Sequence, residues 1–180
     1  GTLYFDLNHD TTFDAGDVVA AGATLTVKGS GFTGGATETT AADGTFSISN
    51  LLPGSYSAVA TYRGHAVGLS QVQVGTSGTH QDLAIPFGGV SGNTVGADGA
   101  IVANATVTLT DLTNASTWQS ISNETAAYRF AAILPGNYTL TASYDGTSSV
   151  PLTFSAGTQT VKENLTLRPS GRVAGTTELV

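Results

Sequence analysis

Two stretches decide the fold, "LLPGSYSAVATYRG" (51–64) and "ILPGNYTLTASYDG" (133–146), which match at an offset of 82 residues. The same offset lays "GATLTV" (22–27) on "NATVTL" (104–109) and "DLAI" (82–85) on "NLTL" (164–167). It also lays Gly75 on Gly157, and Gly89 of "GGVSGN" on Gly171 of "SGRVAG". One register held across most of a repeat marks a duplication. Within each copy apolar residues alternate with Thr and Ser. Leu25 and Val27, Phe46 and Ile48, and Tyr56, Ala58 and Ala60 fall on every second position, followed by Val72, Val74, Leu83 and Ile85. Period-two alternation with frequent turn residues, and no helical stripe, predicts an all-β protein of two tandem β-sandwiches. Residues 1–87 form the first unit and 88–169 the second, with no long linker. Residues 170–180 read as the opening strand of a third unit, either continued in a longer chain or donated to a neighbouring sheet edge.

Composition narrows the function. Thr and Ser make up about a quarter of the 180 residues, and there are 23 Gly. A net charge of −7 with only six Lys and Arg argues against nucleic acid or an anionic membrane as partner. Without Cys there is no disulfide and no thiolate metal site. No apolar run is long enough to span a bilayer. The chain begins at Gly1 without a visible signal peptide, as a mature chain or a fragment would.

The first unit has an elaboration that the second lacks. "YFDLNHDTTFDAGD" (4–17) holds four of the nine aspartates. Counting Asp6 as position 1, Asn8, Asp10, Thr12, Asp14 and Asp17 fall at 3, 5, 7, 9 and 12, the oxygen spacing of a calcium loop. Thr11 stands where Gly is usual, and Asp17 where a longer Glu is usual. The flanks "GTLYF" and "GATLTV" read as strands, so the expectation is a calcium loop joining two strands. The alternative is a solvated loop held by Asx-turns.

The pattern from "YFDLNHD" through "DGTFSISNLLPGSY" resembles the B-type repeats of staphylococcal serine-aspartate adhesins and collagen adhesins. The residues that carry it include Asp43, Gly44, Phe46, Ile48, Leu51, Pro53, Gly54 and Tyr56. The second unit, with "GVSG", "NATVTL", "ILPGNYTL" and "LTLRP", resembles a carboxypeptidase regulatory-like domain, although Asp-Gly is lost at "ETAAY". The resemblance implies Ig-like, prealbumin-like sandwiches used as spacers in surface proteins, with calcium held by Asp6, Asn8, Asp10, Asp14 and Asp17. Some such relatives carry Lys–Asn isopeptide bonds. Here Lys28 and Lys162 are the only lysines and neither lies in a predicted first strand.

Five Asn-x-Ser/Thr sequons, at Asn104, Asn114, Asn123, Asn137 and Asn164, make glycosylation of an extracellular protein an expectation. Thr-rich strands also generate sequons without function. His9, His65 and His80 are scattered and expected at the surface. His80 and Asp82 make only a weak constellation, and no nucleophile elbow or zinc motif appears, which argues against an enzyme. Trp118, the one tryptophan, either caps a core or stacks on a sugar. The leading expectation is a structural subunit or spacer of an extracellular, cell-surface assembly (stalk, surface layer or filament), partnered by itself or by neighbouring domains. The alternative is a carbohydrate-binding or adhesin module, free or appended to a secreted hydrolase.

Overall fold

The structure, a computed structural model, describes residues 1–29 and 36–169. The strand expected at 170–180 lies outside them. The described residues contain strands and no helix. The first half runs β1 (Leu3–Phe5), β2 (Val18–Val19), β3 (Thr24–Gly29), β4 (Ala36–Thr39), β5 (Gly54–Tyr62), β6 (His65–Gly68), β7 (Val72–Val74) and β8 (Leu83–Ala84). The second runs β9 (Gly88–Gly96), β10 (Thr106–Asp111), β11 (Thr117–Ile121), β12 (Ala127–Ile133), β13 (Gly136–Tyr144), β14 (Thr147–Ser149), β15 (Leu152–Ala156), β16 (Thr160–Lys162) and β17 (Leu165–Pro169).

In the first half, a small β2-β1-β8 sheet faces a larger β4-β3-β5-β6 sheet to which β7 adds beside β5. Leu3, Leu25, Ala58, Ala60, Leu83 and Ile85 close the core between them. In the second half, β9 reaches across the sandwich. Its first residues pair with β12 and β16, and its last three with β17. Val90, Val107, Leu109, Leu140, Leu165 and Leu167 fill that core. The expected alternation is visible in β5, where Tyr56, Ala58 and Ala60 point inward and their neighbours outward.

Local chemistry repeats along with the sequence. Tyr56 donates its hydroxyl to the Leu52 carbonyl at 2.8 Å, and Tyr138 does the same to Leu134 at 2.8 Å. Each Tyr of "LPGxY" therefore bonds back to the Leu that opens its own motif, the tyrosine corner of sandwich folds. The Thr40 hydroxyl accepts from the Ala23 amide and donates to Ala20. Ser122, at the matching place, links Ala105 and Val102 in the same way. The turn Arg63-Gly64 has φ of 49° and 85°, and Asp145-Gly146 has 43° and 71°. Ala126 holds φ of 60° where Gly44 has 76°, so the turn survives the loss of Asp-Gly.

One expected strand is cut short. Residues 45–49 were to form a strand, but only Thr45 is bridged, to Thr2. Beyond that bridge, the Phe46 amide donates to the Gly1 carbonyl at 2.9 Å and the Gly1 amine to the Phe46 carbonyl at 3.2 Å. The matching β12 has its whole partner in β9 and pairs from Ala127 to Ile133.

The two halves meet through side chains. Leu134, on the loop before β13, packs in the core of the first half. His65, opening β6, reaches Asp111, closing β10, with Nε2 to Oδ2 at 2.7 Å. Both side chains are almost wholly buried, 3% and 2% exposed. The other His65 nitrogen, Nδ1, lies 3.0 Å from the Pro135 carbonyl, and Tyr138 stacks parallel to the ring. Asn114 donates from Nδ2 to the Arg63 carbonyl at 2.8 Å. The expectation of a surface His65 is thereby overturned. The neighbouring unit, and not solvent, covers it.

Candidate functional site

Two regions carry chemistry: the acidic loop and the groove where the halves meet. The loop leaves β1 at Asp6 and returns at β2. Asp6 is 8% exposed, because it receives backbone N–H groups from Asp10 at 3.2 Å and Thr11 at 2.8 Å. Asn8 Oδ1 accepts from Asp10, Asp10 from Thr12 and Asp14 from Gly16, each two residues on. These are Asx-turns, which fold the short polar side chain onto its own backbone. Asp17 closes the loop, accepting from Leu7 at 3.0 Å and Asp14 at 3.2 Å. Phe13 anchors it against Tyr4, ring centroids 5.2 Å apart, and His9 packs on Phe87 at 5.4 Å.

Two features of the loop suit a cation. Thr11, at position 6 of the calcium spacing, has φ of 67°. That is the left-handed turn for which such loops keep Gly, and a β-branched residue holds it only under strain. Asn8 Nδ2 lies 2.9 Å from Asp10 Oδ2 and 3.5 Å from Asp14 Oδ2, so the amide's positive end sits between two carboxylates. The field is felt nearby. Burial raises the pKa of the Tyr4 phenol, and Asp6, Asp17, Asp82 and Asp10 raise it further. No group of three or more His, Cys, Asp and Glu among the described residues stands in a metal-holding arrangement. The backbone N–H groups occupy the carboxylates as the loop is folded. Each carboxylate offers about four lone pairs, so an N–H bond does not exhaust it.

The groove has a volume of about 480 Å³. Phe5, Tyr62, Arg63 and His65 line it from the first half, and Trp118, Arg129, Ile133 and Tyr138 from the second. Leu7 and Val18, on the two limbs of the acidic loop, complete one side. Trp118 lies on β11 opposite Leu109 and is 37% exposed, so it is half open to the groove and no core cap. The Arg63 guanidinium sits 5.3 Å over the Tyr62 ring. Burial pushes the Asp111 carboxyl up, but hydrogen bonds from His65 and the Thr113 amide, with the His65 charge, outweigh it and hold the group below the usual carboxylate value.

All five sequon asparagines are exposed. Asn114 is the exception in chemistry, since the Nδ2 that a glycan would join is spent on Arg63 at the junction. His80 lies 3.4 Å from Asp82 at the surface, and neither lines the groove. The sequence reading missed His65, Asp111, Arg63 and Arg129. A signal was present. In the repeat register these residues fall on Thr147, Gly29, Asp145 and Ser47, so each is a place where the copies differ in chemistry.

No curated protein sequence matches the chain. The minor pilin GBS52 of Streptococcus agalactiae is similar at 12% identity over 98% of this chain and 98% of its own, with a TM-score of 0.48. The shaft pilin SpaA of Lactobacillus rhamnosus GG is similar at 11% identity over 96% and 97%, TM-score 0.38. The major pilin subunit BcpA of Bacillus cereus is similar at 14% identity over 67% of this chain and 41% of its own, TM-score 0.41. Residues 89–168 match the carboxypeptidase regulatory-like domain family, as the resemblance of the second half implied.

Proposed function

We propose that the chain is a structural spacer of an extracellular, cell-surface assembly. Its units, 1–87 and 88–169, would be set end to end as one stiff body. The observation that carries this reading is the junction. Leu134 plugs a foreign core, and a buried His65–Asp111 pair spans the two halves. Domains that move independently meet through polar, exposed contacts. A shared core residue and a buried side-chain hydrogen bond favour a fixed angle instead.

Calcium in the loop 6–17 would stiffen the entry to the first unit, held by Asp6, Asn8, Asp10, Asp14 and Asp17 with the Thr12 carbonyl. The support is the carboxylate density, the turn at Thr11 and the Asp10–Asn8–Asp14 convergence. Glycans on Asn104, Asn123, Asn137 and Asn164, and strand exchange through 170–180, belong to the same reading. Spin labels at Thr37 and Thr153, one in each half, test it. A single narrow distance distribution is expected, sharpened by calcium. A broad distribution in either condition refutes the fixed-spacer reading.

A further inference from the structure

The groove at the junction gathers positive charge on an acidic chain. The chain carries −7 overall and six basic residues, and two of them, Arg63 and Arg129, line this one groove. The one carboxylate of the wall, Asp111, is hydrogen-bonded by His65 and outnumbered by the two guanidiniums. The remaining charge of the wall is positive. Trp118 and Tyr62 line the groove with them, and the Arg63 guanidinium lies over the Tyr62 ring.

The fold does not require this set. In the other copy Trp118 is replaced by Ala36, Arg129 by Ser47 and Arg63 by Asp145, while the tyrosine corners and hydroxyl clips are kept. The residues are also firmly placed. Arg129 lies within β12, paired with Ser91, and Trp118 lies within β11, paired with Leu109. The Arg63 turn is pinned by Asn114. A preorganised cleft of this size, with aromatic faces and a few directed polar groups, has the make-up of a small-ligand site.

We propose that the groove binds a short anionic saccharide, its ring stacked on Trp118 and its carboxylate or sulfate held by Arg129 and Arg63. An aromatic face covers the C–H side of a pyranose. A guanidinium matches a planar or tetrahedral oxyanion through paired N–H donors. A long polyanion is disfavoured by the net negative surface, which selects a chain end or a short segment. The inference rests on the fixed junction of the proposed spacer, because the two arginines come from different halves, and it is independent of calcium.

The single tryptophan makes the test direct, since its fluorescence reports this groove alone. The whole chain is titrated with a hexuronate tetrasaccharide, a sulfated tetrasaccharide, an uncharged tetrasaccharide and tetraglutamate. The expected result is a saturable fluorescence change with at least one anionic sugar, weakened by added salt. Arg129→Gln weakens it by roughly tenfold or more, as loss of a charge-assisted bond does. Calorimetry finds no binding to Trp118→Ala. A melting curve confirms that each variant is folded, and Arg63→Gln substitutes if Arg129→Gln is not. The two charged sugars tell carboxylate from sulfate recognition. The proposal is overturned if neither binds at millimolar concentration, if the uncharged sugar binds equally, or if tetraglutamate binds as tightly.

Discussion

Replacing Asp111 by alanine is the most searching perturbation of the junction. The carboxylate is buried, and its Oδ2 meets His65 Nε2 at 2.7 Å across the two halves. Pro135 offers only a carbonyl to the other ring nitrogen, so both nitrogens face acceptors. Breaking a buried pair by removing one partner costs about 3–5 kcal/mol, because the other is left desolvated and unmatched. For a chain of this size each kcal/mol moves the melting temperature by about 2–4 °C. The expected fall is therefore about 6–20 °C. Part of it is local, since Asp111 Oδ1 also accepts from the Thr113 amide at 2.8 Å, a bond worth about 1 kcal/mol. A double-mutant cycle with His65→Ala separates the two contributions. Removing both partners should cost less than the sum of the single losses, with a coupling of about 1–3 kcal/mol. Calorimetry of the four proteins is the assay. A coupling near zero would refute the claim that this pair locks the halves. The pH dependence follows from the same geometry. The folded pKa of Asp111 lies below its ordinary value. Its contribution is thus present above the unfolded pKa and is lost as pH falls through the lower folded value.

Other outcomes can be checked with similar means. Thr11→Gly should raise thermal stability by about 1 kcal/mol by relieving a β-branched residue at φ of 67°. A loss of stability would mean that the Thr11 side chain contributes more than its strain. Millimolar calcium should raise the melting temperature, by about 2.7 kcal/mol of stability at a hundred times the dissociation constant, and Asp14→Ala should erase that gain. Tyr138→Phe should cost about 1–2 kcal/mol in a denaturant melt, because the Leu134 carbonyl loses its partner. In alkali, Tyr138 should ionise late. Burial and the Asp111 charge raise its pKa to about 12, against the opposing effect of the Leu134 bond. A phenol with a raised folded pKa supports the fold below the unfolded value of about 10 and loses that support as pH climbs toward 12. Absorbance at 295 nm during titration would show it.

Much of the fold is written in residues whose neighbours are local or repeated. Tyr56, Ala58 and Ala60 announce a half-buried strand by their spacing, and the 82-residue offset carries the pattern to Tyr138, Leu140 and Ala142. Residues 45–49 show the limit of such reading. They have the right alternation, yet among the described residues only Thr45 is bridged, to Thr2. The junction was hidden for a different reason. His65 and Asp111 lie 46 residues apart and belong to different copies, so no periodicity links them. The acidic loop was legible as a cluster of oxygen donors. Its hydrogen bonds are those of Asx-turns, which the same Asp and Asn spacing also encodes. Trp118 could not be placed by composition. Its exposure follows from β11 standing at the end of its sheet, with β10 its one partner among the described residues.

The first and last strands of each half, β1 with β8 and β9 with β17, run parallel and side by side. A pull along the chain draws the entering strand one way and the leaving strand the other. The hydrogen bonds between them are then loaded together in shear, and none can be peeled off ahead of the rest. Rupture must break the ladder in one step, which sets a high barrier and a slow rate even where equilibrium stability is modest. Resistance to tension would thus come from strand order, a property that heat and denaturant do not measure.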